Sequence, residues 1–296
     1  MTPSLRDIPE GPLSFEIRRP AFPDDAQHTP PPLPLRAVSA LTRKLPAVRG
    51  SGAIAIRMEP LFRGHGLVLM PVWPSVRMWL DPGDAVGGLL AFVPHLYDRW
   101  EREAIAAVLR HGDTFVDIGS NVGAYALWAA TLTGPAGRVL AVEADDRNAA
   151  ILASNIAING FEDRVTALCC GIADKPQILQ FYRNTSGNCG AHSFLMRGEP
   201  ARKVECLPLL DVLGIAAISR IRVLKLDIEG FELRALEPFF RSAPSQSWPD
   251  YLLIEIEGGP ATTEQKTRLR TLLADRGYAV LREKANALYK RTGVLE

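Results

Sequence analysis

A carboxylate, an amide and two glycines lie close together in the segment DIGSNVGAY, which runs from Asp117 to Tyr125. The segment joins a strand-like run, TFVDIG, to a helix-like run, VGAYALWAATL, so it is predicted to be a turn. A glycine turn lets the backbone approach a ligand closely, since no Cβ stands in the way. The next strand-like run, GRVLAVEA, ends in Glu143, whose carboxylate can accept both hydroxyls of a ribose. Together these residues indicate a nucleoside site.

The glycine spacing disfavours a dinucleotide cofactor. A nicotinamide or flavin loop reads G-x-G-x-x-G, and its second glycine lets a pyrophosphate sit on the helix N-terminus. This chain has Asp117, Gly119, Asn121 and Gly123 at alternate positions instead. The carboxylate of Asp117 would repel a pyrophosphate, whereas it suits the ammonium group of S-adenosylmethionine, which carries no phosphate. A purely structural turn would also use glycine, but it would not explain Asp117 and Glu143 together.

A second group of charged residues lies in the segment KLDIEG, at the end of another strand-like run. Lys225 and Asp227 share one face of that strand because side chains alternate, and Glu229 enters the following helix. A carboxylate also suits a helix N-terminus, so Glu229 has an alternative role as a cap. Asp227 and Glu229 are candidates to orient or deprotonate an acceptor hydroxyl. Glu255 or Glu257, in LLIEIEG, could assist, and the sequence leaves the choice of base open.

His192, in the Gly-rich segment NTSGNCGAHSF, is a competing candidate base or substrate ligand. Histidine titrates near neutral pH, although a lone loop histidine is more often a solvated residue. The chain has no His/Cys cluster with transition-metal spacing, so we expect no such metal. An Mg²⁺ ion shared by Asp227 and Glu255 remains an alternative, because carboxylate oxygens are its usual ligands.

Strand-like and helix-like runs alternate through the segment that carries these residues. This alternation predicts an α/β fold with a doubly wound, mainly parallel sheet and helices on both faces. Asp145 is a plausible N-cap for the helix DRNAAILASNIAING, and YAVLR and ALYKR are predicted to pair as a C-terminal antiparallel hairpin. Ligands bind such sheets at the carboxyl ends of the strands, which is where the candidate residues fall.

Four segments, in this order, resemble the FkbM family of S-adenosylmethionine-dependent methyltransferases: FVDIGSNVGAYAL, VLAVEADDRNAAILASNIAING, IRVLKLDIEGFELRALEPFF and YLLIEIEG. The resemblance covers roughly residues 75 to 291. It implies the class I methyltransferase (Rossmann-like) fold with a seven-stranded sheet, and usually O-methylation of hydroxyls on sugars or natural products. An asparagine in the glycine turn is common in that family.

The resemblance also implies which residues hold the cofactor. The turn from Asp117 lines the methionine portion, Glu143 takes the ribose, and the residues after the third strand read the adenine, although these could also form a simple turn. The implied binding set is Asp117, Gly119, Ser120, Asn121, Gly123, Glu143, Ala144, Ala173, Asp174 and Asp227. No Asp/Asn-Pro-Pro-Tyr run, which holds a planar nitrogen in amino-group methyltransferases, follows the fourth strand.

Composition restricts the partners. Lys+Arg 34 against Asp+Glu 33 leaves a formal net charge of +1, so no global field attracts nucleic acid or an anionic membrane. A small-molecule hydroxyl acceptor fits better. The four cysteines show no CxxC spacing, and the N-terminus lacks the pattern of a secretory signal. The apolar runs are too short to span a membrane. We therefore expect a cytoplasmic protein with reduced thiols.

Three regions are predicted along the chain. Residues 1–50 hold ten of the 23 prolines and are predicted to be a mostly irregular arm, either a disordered tail or a segment packed on the body or on a second subunit of a homodimer. Residues 51–94 suggest a small antiparallel β-rich extension. Residues 95–296 form the S-adenosylmethionine-binding domain. The leading hypothesis is an O-methyltransferase; its rivals are a non-catalytic cofactor-binding module and an NAD-linked oxidoreductase.

Overall fold

A seven-stranded sheet forms the centre of the molecule. The structure, a computed structural model, describes residues 31–46, 57–183, 194, 199–256 and 261–293. Two short 3₁₀ turns, Glu59–Phe62 and Ser245–Ser247, accompany the main elements. In chain order these are α1 (Leu33–Thr42), β1 (Val68–Trp73), β2 (Val76–Leu80), α2 (Ala85–Phe92), α3 (Arg99–Val108), β3 (Thr114–Ile118), α4 (Ala124–Thr133), β4 (Arg138–Glu143), α5 (Asp146–Ala157), β5 (Val165–Cys169), β6 (Gly171–Ile172), β7 (Gln177–Arg183), β8 (Glu199–Leu207), α6 (Leu209–Ile215), β9 (Val223–Leu226), α7 (Glu232–Ser242), β10 (Tyr251–Glu255), α8 (Thr263–Asp275), β11 (Tyr278–Glu283) and β12 (Asn286–Arg291).

The strand order of the central sheet is β11-β12-β10-β9-β3-β4-β5. Strands β10, β9, β3, β4 and β5 run parallel to one another, and β12 and β11 form the antiparallel edge. The chain builds outward from β3 to β5 and then returns to add β9 on the other side of β3. The expectation of an α/β fold with a mainly parallel, doubly wound sheet is confirmed, and its switch point lies between β3 and β9.

Helices cover both faces of this sheet because its strands are apolar on both sides. Phe115 and Ala141 face a core shared with α3, α4 and α5, whereas Val116 and Leu140 face a core shared with α6, α7 and α8. Burial on both faces is typical of parallel strands. Helix α5 begins where predicted, because the Asp145 side chain accepts hydrogen bonds from the backbone N–H groups of Arg147 and Asn148. None of the described helices is long and apolar enough to cross a bilayer.

Residues 31–46 of the N-terminal arm pack on the body, which is one of the alternatives expected for the arm, and they contain a helix. Helix α1 accommodates a proline in its first turn, the one place where the missing N–H costs nothing. Ser39 Oγ donates to Ala91 O at 2.7 Å and Thr42 Oγ1 donates to Phe92 O at 2.6 Å, which fixes α1 against α2. Residues 1–30 and 47–56 lie outside the described part of the chain. Strands β1 and β2 form the expected antiparallel pair.

A second sheet of three strands, in the order β6-β8-β7, is inserted between β5 and α6. The run RVTALCCGIA, predicted as one strand, divides at Cys170, because β5 continues the central sheet while β6 pairs in parallel with β8. Strands β7 and β8 form an antiparallel pair that was not predicted from the sequence. This insertion stands beside the carboxyl ends of the central strands and supplies one wall of the site.

Candidate functional site

A cleft of about 840 Å³ opens at the carboxyl ends of β3, β4 and β9, at the switch point of the sheet. Seven of the residues predicted from the sequence line it: Gly119, Ser120, Asn121, Glu143, Ala144, Asp227 and Glu229. Further walls come from Val86 and Tyr97, from Ala124 and Tyr125 at the start of α4, from Cys170–Ile172, and from Phe181 and Phe194 of the insertion. The sheet therefore brings residues from four distant segments to one cavity.

The two glycines of the DIGSNVGAY turn make room for neighbouring chain rather than for a ligand. Gly119 has φ +81°, and a Cβ there would stand 1.9 Å from the backbone oxygen of Asp227. Gly123 has φ +94°, and a Cβ there would stand 2.6 Å from Cδ1 of Leu152 in α5. Both positions also lie in the left-handed region that favours glycine. The turn is thus packed tightly against β9 and α5, and its shape is fixed before any ligand binds.

Asn121 occupies the position where a dinucleotide loop has another glycine. Its φ of +50° is left-handed, a conformation that asparagine tolerates better than most residues. Its side-chain Oδ1 accepts a hydrogen bond from the N–H of Val122 at 2.7 Å. Its own N–H donates to Oε2 of Glu143 at 2.7 Å. Asn121 therefore ties the turn after β3 to the carboxylate at the end of β4.

Glu143 is held from two sides. Besides the bond from Asn121, its Oε1 accepts a hydrogen bond from the N–H of Asp145 at 2.8 Å. Burial raises the pKa of Glu143 to about 7, and the nearby Asp145 and Asp117 carboxylates act in the same direction. Each carboxylate oxygen has a second lone pair. The orientation of Glu143 is thus fixed by backbone groups, while acceptor capacity remains for two hydroxyls.

Lys225 forms the charged floor of the cleft. Its Nζ lies 3.4 Å from Oδ1 of Asp117 and 3.2 Å from Oδ2 of Asp227. Burial alone would lower the pKa of Lys225, but the two carboxylates outweigh burial and hold that pKa above its ordinary value. The same lysine stacks on the ring of Tyr125, with Nζ 5.1 Å from the centroid. Lys225 is therefore a charged lysine inside the protein.

Asp117 is fully buried beside this lysine. Among the described residues, neither of its oxygens receives a hydrogen bond of normal geometry. Burial raises the pKa of Asp117, and the charge of Lys225 opposes that rise. A buried carboxylate without a close donor is costly for the fold, so it needs a reason. The charge of Lys225, 3.4 Å from Oδ1, compensates this burial in part.

Three carboxylates lie close together next to Lys225. Oxygens of Asp227, Glu229 and Glu255 lie within 4.8 Å of one another. Burial, reinforced by the neighbouring carboxylates, raises the pKa of Glu229 to about 7 and that of Glu255 to about 8. Such a group can either exchange a proton near neutral pH or hold a divalent cation.

Glu229 is not the cap of the following helix. The N-cap position is Phe231, and the N–H groups of Ile228 and Gly230, in the turn before the helix, donate to Oε1 of Glu232 at 3.1 and 3.3 Å. Glu229 itself has φ +53°, an uncommon and costly conformation for glutamate. Strained backbone of this kind concentrates at functional sites. The conformation holds Glu229 at the wall of the cleft.

Tyr97 and Tyr125 line another part of the cleft, with Asp98 next to them. Tyr125 donates its hydroxyl to Oδ2 of Asp98 at 3.1 Å, and the rings of Tyr97 and Tyr125 lie 6.2 Å apart. Tyr97 lines the cleft. Trp100 packs elsewhere, under the guanidinium of Arg282 at 4.9 Å.

Several predicted residues are not brought to the cleft. Ala173 is fully buried in the small core of the insertion, and Asp174 forms an ion pair with Arg234 at 2.7 Å. The chain turns away after β6, so the Cys170–Ile172 segment lines the cleft in their place. Asp117 and Gly123 lie in the walls behind the lining. His192 and Glu257 fall outside the described residues.

The sequence analysis placed Lys225 on the face of Asp227 but gave it no role. The signal was present, because residues two apart in a strand point the same way. The partnership with Asp117 depends on the pairing of β3 with β9, which no local pattern reveals. Tyr125 is the last residue of the DIGSNVGAY segment, and no role was predicted for it. Phe181 and Phe194 lie in the insertion, whose strands were not predicted.

Comparison with known proteins identifies the family of this chain. The family model described as the methyltransferase FkbM domain matches residues 117–280, which include the turn, Glu143, Lys225 and the three carboxylates. That match confirms the resemblance seen in the sequence.

One curated relative is the ribosomal protein L11 methyltransferase of Gloeobacter violaceus, 38% identical over 114 residues. The matched part is 36% of this chain and 34% of the relative, so the chain spans about a third of the length of that relative. Among solved structures, a putative rRNA methylase from Clostridium thermocellum aligns with a TM-score of 0.42 and 15% identity, covering 64% of this chain and 93% of the other.

The O-methyltransferase TomG of Streptomyces achromogenes, solved with S-adenosylmethionine, aligns with a TM-score of 0.41 and 14% identity, covering 65% of this chain and 78% of the other. These structural likenesses are distant. The fold assignment therefore rests on the strand order of the chain itself, and the family rests on the match to residues 117–280.

Proposed function

This chain belongs to the methyltransferase FkbM domain family, and from that premise we propose that it transfers the methyl group of S-adenosylmethionine to a hydroxyl of a sugar or secondary metabolite. One observation carries the choice of an oxygen acceptor. Asp227 and Glu229 line the cleft, and the carboxylate of Glu255 lies within 4.8 Å of both. A hydroxyl must lose its proton during methyl transfer, and carboxylates at the cleft can receive it.

The cleft fits S-adenosylmethionine on chemical grounds. Glu143, with both oxygens oriented by backbone N–H groups, accepts the two ribose hydroxyls. The role of Asp117 toward the ammonium group stays a prediction from the sequence, because Asp117 lies fully buried behind the lining of the cleft, beside Lys225. The turn from Gly119 to Gly123 encloses the methionine portion. The adenine lies at the wall formed by Cys170–Ile172, with Ala173 and Asp174 behind it.

When bound, S-adenosylmethionine supplies an electrophilic methyl group on a sulfonium. The chain must then hold an acceptor oxygen in line with that methyl group and remove its proton. Asp227 lines the cleft with its Oδ2 held 3.2 Å from Nζ of Lys225, so we assign it the orientation of the hydroxyl. Glu229, whose pKa burial raises to about 7, is better matched to accept a proton at neutral pH. Glu255 is the alternative base.

A metal-assisted reaction is the second candidate version of the same activity. The oxygens of Asp227, Glu229 and Glu255 are close enough to share one cation, and Mg²⁺ prefers such oxygen ligands. The ion would hold the acceptor oxygen and lower its pKa. The two versions differ in one measurable respect, since only the second loses activity in EDTA.

The near-neutral charge of the chain supports a small acceptor. A net charge of +1 gives no long-range attraction for a polyanion such as RNA. Four aromatic rings also line the cleft, those of Tyr97, Tyr125, Phe181 and Phe194. Aromatic rings beside carboxylates suit an acceptor that has an apolar face and hydroxyl groups, as a sugar or a secondary metabolite has.

Calorimetric titration of the purified protein with S-adenosylhomocysteine and, separately, with NAD tests the cofactor. We expect binding of the first and none of the second. Methyl transfer from labelled S-adenosylmethionine into an extract of the source cells then separates an enzyme from a non-catalytic binding module. Binding of NAD alone would favour the oxidoreductase rival, and cofactor binding without transfer to any fraction would favour the non-catalytic one.

A further inference from the structure

Two residues of the cleft wall precede the segment that matches the family. The match begins at Asp117, whereas Val86 of α2 and Tyr97, just before α3, both line the cleft. The N-terminal region therefore supplies part of the site, and its contribution depends on contacts that hold it beside the β3 turn. Arg102 of α3 makes such contacts.

Arg102 is hydrogen-bonded to the segment that carries Tyr97. Its Nε donates to the backbone oxygen of Tyr97 at 2.7 Å, and its Nη2 donates to the backbone oxygens of Pro94 and His95 at 3.2 and 3.3 Å. A guanidinium has five N–H donors in a fixed fork, so one side chain can hold three carbonyls at once. The shape of the Pro94–Tyr97 segment therefore depends on Arg102.

The same guanidinium joins two parts of the molecule. Its Cζ lies 5.3 Å from the ring centroid of Trp73, at the end of β1, and 5.9 Å from that of Trp128, in α4. A guanidinium over an indole ring is attracted to the electrons of the ring, and arginine stacks in this way better than lysine does. Trp73 belongs to the N-terminal region, whereas Trp128 lies within the segment that matches the family. Arg102 therefore fixes the Pro94–Tyr97 segment relative to both.

Tyr97 lies on the β9 side of the cleft, away from the nucleoside wall. Its ring centroid is 6.2 Å from that of Tyr125, and the ring of Tyr125 in turn lies against Lys225 of β9. In the sheet, β9 and β4 flank β3 on opposite sides, and β4 ends in Glu143. A cofactor with its ribose at Glu143 and its adenine beyond β4 extends its amino-acid end past the β3 turn toward β9, where Tyr97 lies.

We propose that Arg102 is a positioning residue, which holds the ring of Tyr97 as the wall that covers the amino-acid end of the cofactor. The inference rests on the proposed function, since it places S-adenosylmethionine in the cleft. Arg102 is not among the residues that line the cleft, so it acts through Tyr97. The N-terminal region thereby takes part in cofactor binding, although the family match begins only after it.

The binding test compares two ligands that differ in the amino-acid end. S-Adenosylhomocysteine carries that end, whereas 5′-methylthioadenosine keeps only the nucleoside and the sulfur. Both are titrated calorimetrically into the wild-type protein and into Tyr97→Ala, Arg102→Met and Arg102→Lys.

Tyr97→Ala should bind S-adenosylhomocysteine on the order of ten-fold more weakly, because the contact area of the ring is lost. Arg102→Met should lose a similar factor of about ten, the value of one charged hydrogen bond. The affinity of both variants for 5′-methylthioadenosine should change by less than about two-fold, because that ligand does not reach the Tyr97 wall. Arg102→Lys should recover only part of the loss, since an ammonium group lacks the planar fork.

Two controls separate positioning from general damage. Arg99→Met, in the same helix, removes an exposed ion pair with Glu103 at 2.7 Å and should bind both ligands as the wild type does. In a Tyr97→Ala background, Arg102→Met should add no further loss for S-adenosylhomocysteine, because its effect passes through that ring. Thermal melts establish that each variant is folded.

Hydrogen exchange gives a readout that needs no ligand. Peptides that span residues 94–98 should exchange on the order of ten-fold faster in Arg102→Met than in the wild type, again the value of one charged hydrogen bond. Peptides from β4 and β5 should exchange at the same rate in both proteins, and Arg99→Met should match the wild type throughout. Should Arg102→Met not fold, Arg102→Gln replaces it with the same expectations, because its neutral amide also removes the guanidinium.

Unchanged exchange in residues 94–98, equal weakening of both ligands, or additive losses in the double variant would overturn the role of Arg102. Full affinity of Tyr97→Ala for S-adenosylhomocysteine would overturn the place assigned to Tyr97. Failure of the wild-type protein to bind S-adenosylhomocysteine would instead overturn the proposed function, and the exchange rates would then still decide whether Arg102 holds the segment.

Discussion

Replacing Glu143 by alanine tests how the cleft recognises the nucleoside. In the proposed complex this carboxylate accepts two ribose hydroxyls, with its orientation fixed by the N–H groups of Asn121 and Asp145 at 2.7 and 2.8 Å. A hydrogen bond to a charged group contributes about 1.5–3 kcal/mol when it is well aligned. Two such bonds, discounted for the partial protonation of a group whose pKa is about 7, give about 2–4 kcal/mol. We therefore expect S-adenosylhomocysteine to bind about 30- to 1,000-fold more weakly.

Isothermal titration measures this loss, and a ligand variant supplies the control. The 2′,3′-dideoxy analogue of S-adenosylhomocysteine lacks both hydroxyls, so Glu143→Ala should bind it as tightly as the wild type does. Glu143→Gln keeps the shape and one acceptor, and its affinity for S-adenosylhomocysteine should fall between the two. If Glu143→Ala weakens both ligands equally, the carboxylate acts only by shaping the Asn121 turn. Unchanged affinity for S-adenosylhomocysteine would remove the ribose role altogether.

Three further expectations concern the acceptor side and stability. Asp227→Asn should lower turnover at least about ten-fold while cofactor affinity changes less than about three-fold, and full activity in a methyl-transfer assay would exclude its role. EDTA should leave activity unchanged in the metal-free version, so a loss restored by Mg²⁺ would establish the metal-assisted one. Burial raises the pKa of Glu101 from 4.5 to about 7. The free energy of unfolding is therefore highest at low pH, where the buried carboxyl is protonated, and this stability is lost as pH rises through about 7. Glu101→Gln should therefore raise the free energy of unfolding at about pH 8 by up to about 3 kcal/mol and leave it nearly unchanged at about pH 4.5; equal melts at both pH values would refute this.

The alternating core of the fold could be predicted from the sequence, since each parallel strand is an apolar run buried on both faces. The N-cap at Asp145 followed from the preference of aspartate for that position, and the structure has it. Helix α2 was missed because it contains Gly87 and Gly88, which are poor helix formers. A Cβ on Gly87 would stand 2.0 Å from the backbone oxygen of Asp81, so the glycine is required by a contact that the local sequence does not show.

The candidate site was predictable where it depends on strand ends. Glu143 ends β4 and Asp227 follows β9, the two strands on either side of β3, and both residues line the cleft at the carboxyl ends of these strands. The ion pairs of Lys225 were not predictable, because they require the register of β3 against β9. The wall from the insertion was not predictable either, since β6 and β8 pair across more than thirty residues of intervening chain. Local patterns thus locate the strand ends, and pairing decides which side chains meet there.

Transfer of a ¹³C-labelled methyl group tests the central claim most directly. The wild-type protein and Asp227→Asn are each incubated with S-[methyl-¹³C]adenosylmethionine and a metabolite extract of the source cells, and the labelled products are analysed by ¹³C NMR. We expect the wild type to give a methoxy carbon on a small molecule and the variant to give little of it. Label appearing only on nitrogen, on RNA or on protein would contradict the account, as would a methoxy product formed equally by both proteins.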